Sequence, residues 1–161
     1  LSVHSGSDKF SIYPGINRAL KKYDAGLHLK TAGTTWLEEL IGLTRSGDKG
    51  LKIVKEIYYQ SLERIDELCG PYASVIDINA SRLPEPAEVS GWPRDTFANA
   101  LTHDQSCPDY NRHVRQLLHV GYKVAAEMGE EFTNALKQHG STIEPLVTHN
   151  LYQRHIIPIF V

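Results

Sequence analysis

The order of strand-like and helical segments is the feature that most constrains the fold. Residues 1–4, LSVH, alternate apolar and polar side chains, and residues 27–30, LHLK, do the same. A helix is predicted after each segment, one following Pro14 and one starting at Thr35, where TWLE matches a capping box. Successive strand–helix units indicate parallel strands, so we expect an α/β fold.

The rest of the chain predicts one more strand and mainly helices. YASVIDI, residues 72–78, is short and β-branched, which is typical of a strand. Helical patterns cover residues 51–69 and 112–140, and a last helix runs through NLYQRHI to Pro158. The proline-rich stretch 82–109 predicts a long ordered loop with one helical turn near TFANAL.

Three strands are too few for a closed barrel, which uses eight. We therefore expect residues 1–161 to be a single domain that forms part of a TIM-type barrel, with long C-terminal helices. The chain starts at Leu1, inside a strand-like pattern. This start predicts a processed product or a fragment whose beginning is missing, and the barrel segment would have to be completed by other chains or by a missing N-terminal part. Uncovered strand edges also predict a homo-oligomer.

Composition argues against several classes of protein. The formal net charge is −2, so we expect no nucleic-acid partner, and the apolar runs are far shorter than the ~20 residues of a membrane helix, so we expect no membrane partner. Two cysteines without a CxxC spacing favour a reducing, cytoplasmic location. GxGxxG, Walker and GxSxG motifs are missing, which leaves nucleotide and serine-hydrolase chemistry without local support.

The first candidate site is HSGSDK, which follows the first strand, where ligands of parallel α/β folds bind. His4 could ligate a divalent metal, Asp8 could be a ligand or a general base, and Lys9 could neutralise an anion. The alternative is a polar loop whose Ser and Asp side chains bond their own backbone. The residues alone leave both interpretations open.

The second candidate site is HLKTAGT. Strand alternation places His28 and Lys30 on one face, and a buried unpaired ammonium is costly, so Lys30 is expected to reach a polar cavity or a carboxylate. The turn from Thr31 to Thr34 precedes a helix N-terminus, which favours a carboxylate or phosphate. An exposed edge strand followed by a capped helix is the alternative.

The remaining histidines give weaker signals. Arg115 and His119 are four residues apart and share a helix face. His119 lies among leucines, which favours a core histidine over a ligand presented from a helix. His103 and His155 occur in loop or amphipathic contexts and are expected to be solvated.

Four segments together resemble the tagaturonate epimerase family: HSGSDKFSIYP, LHLKTAGTTWLEEL, YASVIDI and RQLLHVGYKVAAEMGEEF. The resemblance runs over nearly the whole chain, with HSGSDK and KTAGT as its most specific parts. It implies a metal-dependent epimerase that interconverts the ketohexuronates tagaturonate and fructuronate in hexuronate catabolism. Members of the family are longer, so the resemblance also implies a C-terminal portion.

The implied substrates differ at the carbon β to the ketone, which simple enolisation does not acidify. Reversible aldol cleavage is one route to inversion there, with the metal as Lewis acid. Transient oxidation is another, although the nicotinamide fingerprint is missing.

Combined with the residue patterns, the resemblance implies roles for nine side chains. The implied metal ligands are His4, His119 and His28. The implied catalytic residues are Asp8, as general base, and Lys9 and Lys30, as partners of the enolate or carboxylate. The residues implied to bond substrate hydroxyls are Ser5, Ser7 and Thr31. Two other functions stay open: a non-catalytic fragment or assembly module, and another metal-dependent sugar isomerase or dehydratase.

Overall fold

A computed structural model describes residues 2–4, 10–74 and 76–161. In these ranges the protein is mostly helical, with one small sheet. The strands and α-helices, in chain order, are β1 (Ser2–His4), α1 (Tyr13–Tyr23), β2 (His28–Lys30), α2 (Ala32–Arg45), α3 (Asp48–Glu63), α4 (Ile65–Cys69), α5 (Pro86–Gly91), α6 (Arg94–Ala100), α7 (Arg112–Val120), α8 (Tyr122–Glu127), α9 (Glu130–Gln138), α10 (Gly140–His149) and α11 (Ile157–Phe160). A π-helical segment, Asn150–Ile156, joins α10 to α11.

The first strand–helix–strand unit forms as predicted. β1 and β2 pair in parallel, with Ser2 opposite His28 and His4 opposite Lys30. The intervening α1 ends at Asp24, which adopts a left-handed conformation with φ 47°. Its Lys21 and Asn17 side chains donate to backbone carbonyls of Val161 and Ile159, which ties α1 to α11.

The predicted TIM-type barrel segment is wrong. The described ranges contain a two-stranded sheet, and residues 76–78 of the predicted third strand are irregular, as is Asn79 after it. Two backbone N–H groups that a strand partner would need are bonded to α7 side chains. The N–H of Asp77 donates to Gln116 Oε1 at 3.0 Å, and the N–H of Asn79 donates to His113 Nδ1 at 3.2 Å. Side chains of a helix thus satisfy this segment in place of a neighbouring strand.

The core is built around α2, which packs against α3, α6, α7 and α10. Its sequence, AGTTWLEELIGLTR, is apolar around most of its circumference, which is typical of a buried helix. Fully buried side chains from α2 and its neighbours include Leu37, Leu40, Leu43, Ile57, Tyr58, Phe97, Leu117 and Leu118. At Gly42 an added Cβ would lie 2.7 Å from Cγ1 of Ile143, so a side chain there would force α10 away.

Several helix boundaries differ from the predicted ones. α2 begins at Ala32, three residues before the predicted capping box, so Glu38 lies within the helix. The helix predicted over 112–140 is broken at Gly121 and Gly129 into α7, α8 and α9, and Gly129 has φ 60°, a conformation that glycine adopts without steric cost. The last helix continues through Pro158 to Phe160.

Side chains of α3 bond to the backbone in the first part of residues 82–109. The side chain of Tyr58 donates to the Pro84 carbonyl at 2.7 Å, and Lys55 donates to the carbonyls of Ser90 and Trp92 at 2.8 Å. α6 forms at TFANAL as predicted, and α5 is a further helix that the sequence did not predict. Among the helices of the described ranges, no member has the length and apolarity to cross a bilayer.

Candidate functional site

The carboxyl ends of β1 and β2 lie side by side, because the parallel register pairs His4 with Lys30. His28 and Lys30 are exposed while Leu29 between them is half-buried, which agrees with the predicted alternation. The HSGSDK residues Ser5, Ser7, Asp8 and Lys9 lie outside the described residues, and for His4 only the backbone is described.

The N-terminus of α2 follows β2 directly. Thr31 precedes the helix and its side chain makes no capping hydrogen bond. The hydroxyl of Thr34 donates to the Thr31 carbonyl at 3.0 Å, so it does not cap the N–H groups of the first turn. Those N–H groups give this end of α2 a positive potential at the edge of the sheet.

His119 of α7 lies against the first turn of α2 at Gly33. A Cβ added to Gly33 would overlap Cε1 of the imidazole and lie 2.9 Å from its Nε2. Only a residue without a side chain lets the ring come this close. The half-buried His119 is therefore brought to the KTAGT turn, which joins two segments that the sequence singled out separately.

The position of His119 is held by the next turn of α2. The indole N–H of Trp36 donates to the Leu118 carbonyl at 2.7 Å, next to His119 in the chain. The Trp36 ring also contacts Tyr122 edge to face, with centroids 5.3 Å apart. A buried hydrogen bond and an aromatic contact thus fix the end of α7 against α2.

A buried polar cluster lies on another side of α2; we call it the α2 polar cluster. Its members are Thr34, Glu38, His103, Arg115, Asn150, Arg154 and His155.

The first part of the α2 polar cluster joins α2 to the π-helical segment. His155 is fully buried, and its Nδ1 donates to the Asn150 carbonyl at 2.7 Å, since a carbonyl can only accept. Its Nε2 lies 3.4 Å from the Thr34 hydroxyl. The Asn150 amide donates to the same hydroxyl at 3.4 Å.

The second part of the α2 polar cluster surrounds the buried carboxylate of Glu38. Its Oε1 lies 3.4 Å from Nη1 of Arg154 and 3.3 Å from Nε2 of His103. Arg115 donates to His103 Nδ1 at 2.7 Å, and because a guanidinium can only donate, His103 carries its proton on Nε2, facing Glu38. One guanidinium and one imidazole thus face the buried carboxylate, and Arg115 orients the imidazole.

Arg115 is itself buried and fixes the turn that carries His103. Its guanidinium donates to the carbonyl of Leu101 and, at 3.1 Å, to that of Thr102. These carbonyls follow the C-terminus of α6, where a cation is favoured by the helix dipole.

Phe10, the residue after Lys9, packs on the α2 polar cluster. Its ring contacts His103 and His155 edge to face, with centroids 5.3 and 5.2 Å away. The guanidinium of Arg154 lies 6.0 Å from the Phe10 centroid, at the limit of a cation–π contact. The chain that leaves HSGSDK is thereby anchored to the cluster.

The prediction that His103 and His155 are solvated is wrong. The His103 side chain is 3% exposed and His155 is 0% exposed. His155 turns inward because residues 150–156 form a π-helix, whose period differs from the 3.6 residues on which the prediction depended. No local pattern marks His103, whose burial depends on Arg115 from another element.

The predicted metal site is only partly described. In the described ranges no group of three or more His, Cys, Asp or Glu side chains is arranged to hold a metal ion. Of the three predicted ligands, His119 lies at Gly33, His28 is exposed on β2, and the His4 side chain is outside the description. The described donors do not by themselves make a metal centre.

Comparison with known proteins finds one family. The sequence model of the tagaturonate epimerase family matches residues 1–155. A protein of Thermotoga maritima, named tagaturonate/fructuronate epimerase, is 31% identical over 160 residues, which cover 97% of this chain and 29% of that protein. The chain thus spans less than a third of the length of this relative. No solved structure matches the chain.

The adjacent carboxylates of Glu38, a member of the α2 polar cluster, and Glu39, outside it, are expected to affect stability differently. Glu38→Gln is expected to lower the free energy of unfolding by ~1–2 kcal/mol, because Arg154 and His103 lose a buried anion. Glu39→Gln is the matched control. Burial raises the pKa of Glu39, so its ionised form costs stability once the pH exceeds that raised value. At pH 7 Glu39→Gln should leave stability unchanged or raise it.

Urea unfolding of both variants at pH 7 measures the difference. Equal losses of stability in Glu38→Gln and Glu39→Gln would contradict the role given to Glu38.

Proposed function

The chain belongs to the tagaturonate epimerase family, and on that premise we propose that the protein interconverts tagaturonate and fructuronate. The observation that carries the proposal is the close approach of His119 to Gly33. It brings the family-like segments KTAGT and RQLLHVGYK together beside the carboxyl ends of two parallel strands, where ligands of such units bind. The activity is proposed for the intact protein, since the chain spans 29% of its relative.

Recognition of the substrate carboxylate is assigned to the start of α2. A hexuronate keeps one carboxylate throughout the reaction. Lys30 is exposed at the end of β2, and Thr31 and the first turn of α2 follow it. An ammonium and oriented N–H groups favour an anion at this edge. We assign the Thr31, Ser5 and Ser7 hydroxyls to hydrogen bonds with substrate hydroxyls.

The reaction is proposed to run by reversible aldol cleavage. A base takes the hydroxyl proton on the carbon β to the ketone, and the bond from that carbon to its α neighbour breaks. The electron pair passes to the ketone fragment as an enediolate, while the β carbon becomes an aldehyde. Re-addition to the other face of the aldehyde and return of the proton to its oxygen give the epimer, so no oxidant is needed.

Asp8 is assigned as the base, and Lys9 and Lys30 are assigned to the negative charges of the enediolate and the carboxylate. Cations near developing negative charge lower the barrier when the site excludes water. Phe10, the residue after Lys9, packs on the α2 polar cluster.

A divalent metal is also part of the proposal, with His4, His28 and His119 as its ligands. When bound, it would supply Lewis-acid stabilisation of negative charge. The described thiols of Cys69 and Cys107 are free, which is consistent with the proposed cytoplasmic location. A homo-oligomer remains our prediction for assembly.

The metal proposal is tested by metal content rather than by activity. His4→Ala is expected to lower the molar metal content of the purified intact protein, because loss of a ligand weakens metal binding far more than loss of a surface residue. His149→Ala, at an exposed position, is the control. Elemental analysis that finds unchanged metal in His4→Ala would remove His4 from the site.

The site proposal is tested at Gly33. Gly33→Ala should displace the His119 ring and lower kcat/KM for epimerisation by ~10²-fold, the typical effect of misplacing a catalytic group by about 1 Å. Gly15→Ala is the control, since its Cβ, also in the first turn of a helix, would meet no described side chain closer than Arg18 at 3.9 Å.

The measurement is the rate of epimer formation by the intact protein, with circular dichroism to verify folding. A folded Gly33→Ala variant with wild-type turnover would argue against a site at this contact.

A further inference from the structure

A cleft with a volume of about 480 Å³ opens at the N-terminal end of α7. His113 lines it, six residues before His119 on the same helix, which corresponds to ~9 Å along the helix axis. Of the residues assigned to the epimerase site, none of those that the structure describes lines this cleft. Its chemistry can therefore be considered separately.

Two arginines supply most of the charge of the cleft. Arg82 and Arg112 both line it and are both exposed. Arg112 lies 3.1 Å from Oδ2 of Asp77, the one carboxylate among the lining residues, whereas no ion pair forms at Arg82 in the described ranges. Two guanidinium groups thus face one carboxylate, and the cleft keeps an excess of positive charge.

The hydrogen-bond acceptors of the cleft are already used locally. Oδ1 of Asn111 accepts from the backbone N–H groups of His113 and Val114, at 3.0 and 3.1 Å. Oδ1 of Asn79 accepts from the N–H and hydroxyl of Ser81, at 3.1 and 2.7 Å. Within the described part of the chain neither NH₂ group makes a hydrogen bond, so both amides can contribute donors to the cleft.

His113 contributes a donor as well. Its Nδ1 accepts the Asn79 N–H, so the neutral ring carries its proton on Nε2. Burial and the charges of Arg82 and Arg112 lower the pKa of His113, and Asp77 opposes this effect. Burial is the larger cause, and the arginine charges add to it.

We propose that this cleft binds the oxyanion of a small metabolite, a phosphate or a carboxylate, through Arg82, Arg112 and His113. A planar guanidinium pairs with two oxygens of such a group, and charge-assisted hydrogen bonds are the strongest that an exposed cleft can offer. Tyr110, which also lines the cleft, adds a hydroxyl that can donate to the same ligand.

Sulfate is the first probe, because its charge is constant across the titration range of histidine. The charged and titratable groups that face His113 are Arg82, Arg112, Asp77 and Tyr110. A bound dianion favours the imidazolium, so saturating sulfate should raise the pKa of His113, followed by the ring-proton NMR signal of the intact protein. A His113→Gln variant assigns that signal.

Two variants separate a built site from general attraction of anions. Arg82→Gln should weaken sulfate binding by about tenfold or more. Arg94→Gln, at another exposed arginine, should leave binding unchanged. Asp77→Asn removes the opposing carboxylate and should tighten binding, a gain that misfolding could not produce.

Two further titrations distinguish a phosphate from a carboxylate as the preferred oxyanion. Glucose 6-phosphate and galacturonate are titrated against the same His113 signal, and the tighter ligand indicates a phosphate or a carboxylate site. Non-saturating shifts, or equal effects of Arg82→Gln and Arg94→Gln, would overturn the proposal. Because no step measures epimerisation, failure here leaves the proposed function untouched.

Discussion

The contact between Gly33 and His119 is the constraint on which the candidate site depends. α2 is the central helix of the core, and its first turn receives the imidazole from α7 only because Gly33 has no side chain. One turn along α2, the Trp36 indole N–H donates to the Leu118 carbonyl and so holds α7 at the position from which His119 reaches Gly33. Core packing and the position of His119, a candidate site residue, therefore depend on the same interaction, since moving α7 would disrupt both.

The α2 polar cluster shows how this core tolerates charge. Glu38 and Arg115 are buried, yet each is compensated, the carboxylate by Arg154 and His103 and the guanidinium by two carbonyls and an imidazole. Removing one member of such a network costs more stability than its separate pairwise contacts would suggest, because its partners are left buried without compensation. Phe10 packs on this cluster, so the chain at residue 10 is held by the same buried network.

Local patterns predicted the elements that depend on local forces. The alternation around Leu29 predicted β2, and the helix ending near Asp24 formed as expected. The third strand failed because Gln116 and His113, more than thirty residues away, take the backbone bonds of residues 77 and 79. The KTAGT turn was identified from its own residues, but nothing local indicated that its glycine makes room for His119.

The distance between Gly33 and the His119 ring can be measured by NMR. In the labelled, intact protein we expect a strong nuclear Overhauser effect between the Gly33 Hα protons and the Hε1 proton of His119, since the ring lies in van der Waals contact with that backbone. The Trp36 indole proton should likewise be protected from exchange by its bond to Leu118. A spectrum in which the His119 ring has no contact with Gly33, while the Trp36 proton is protected, would contradict the account.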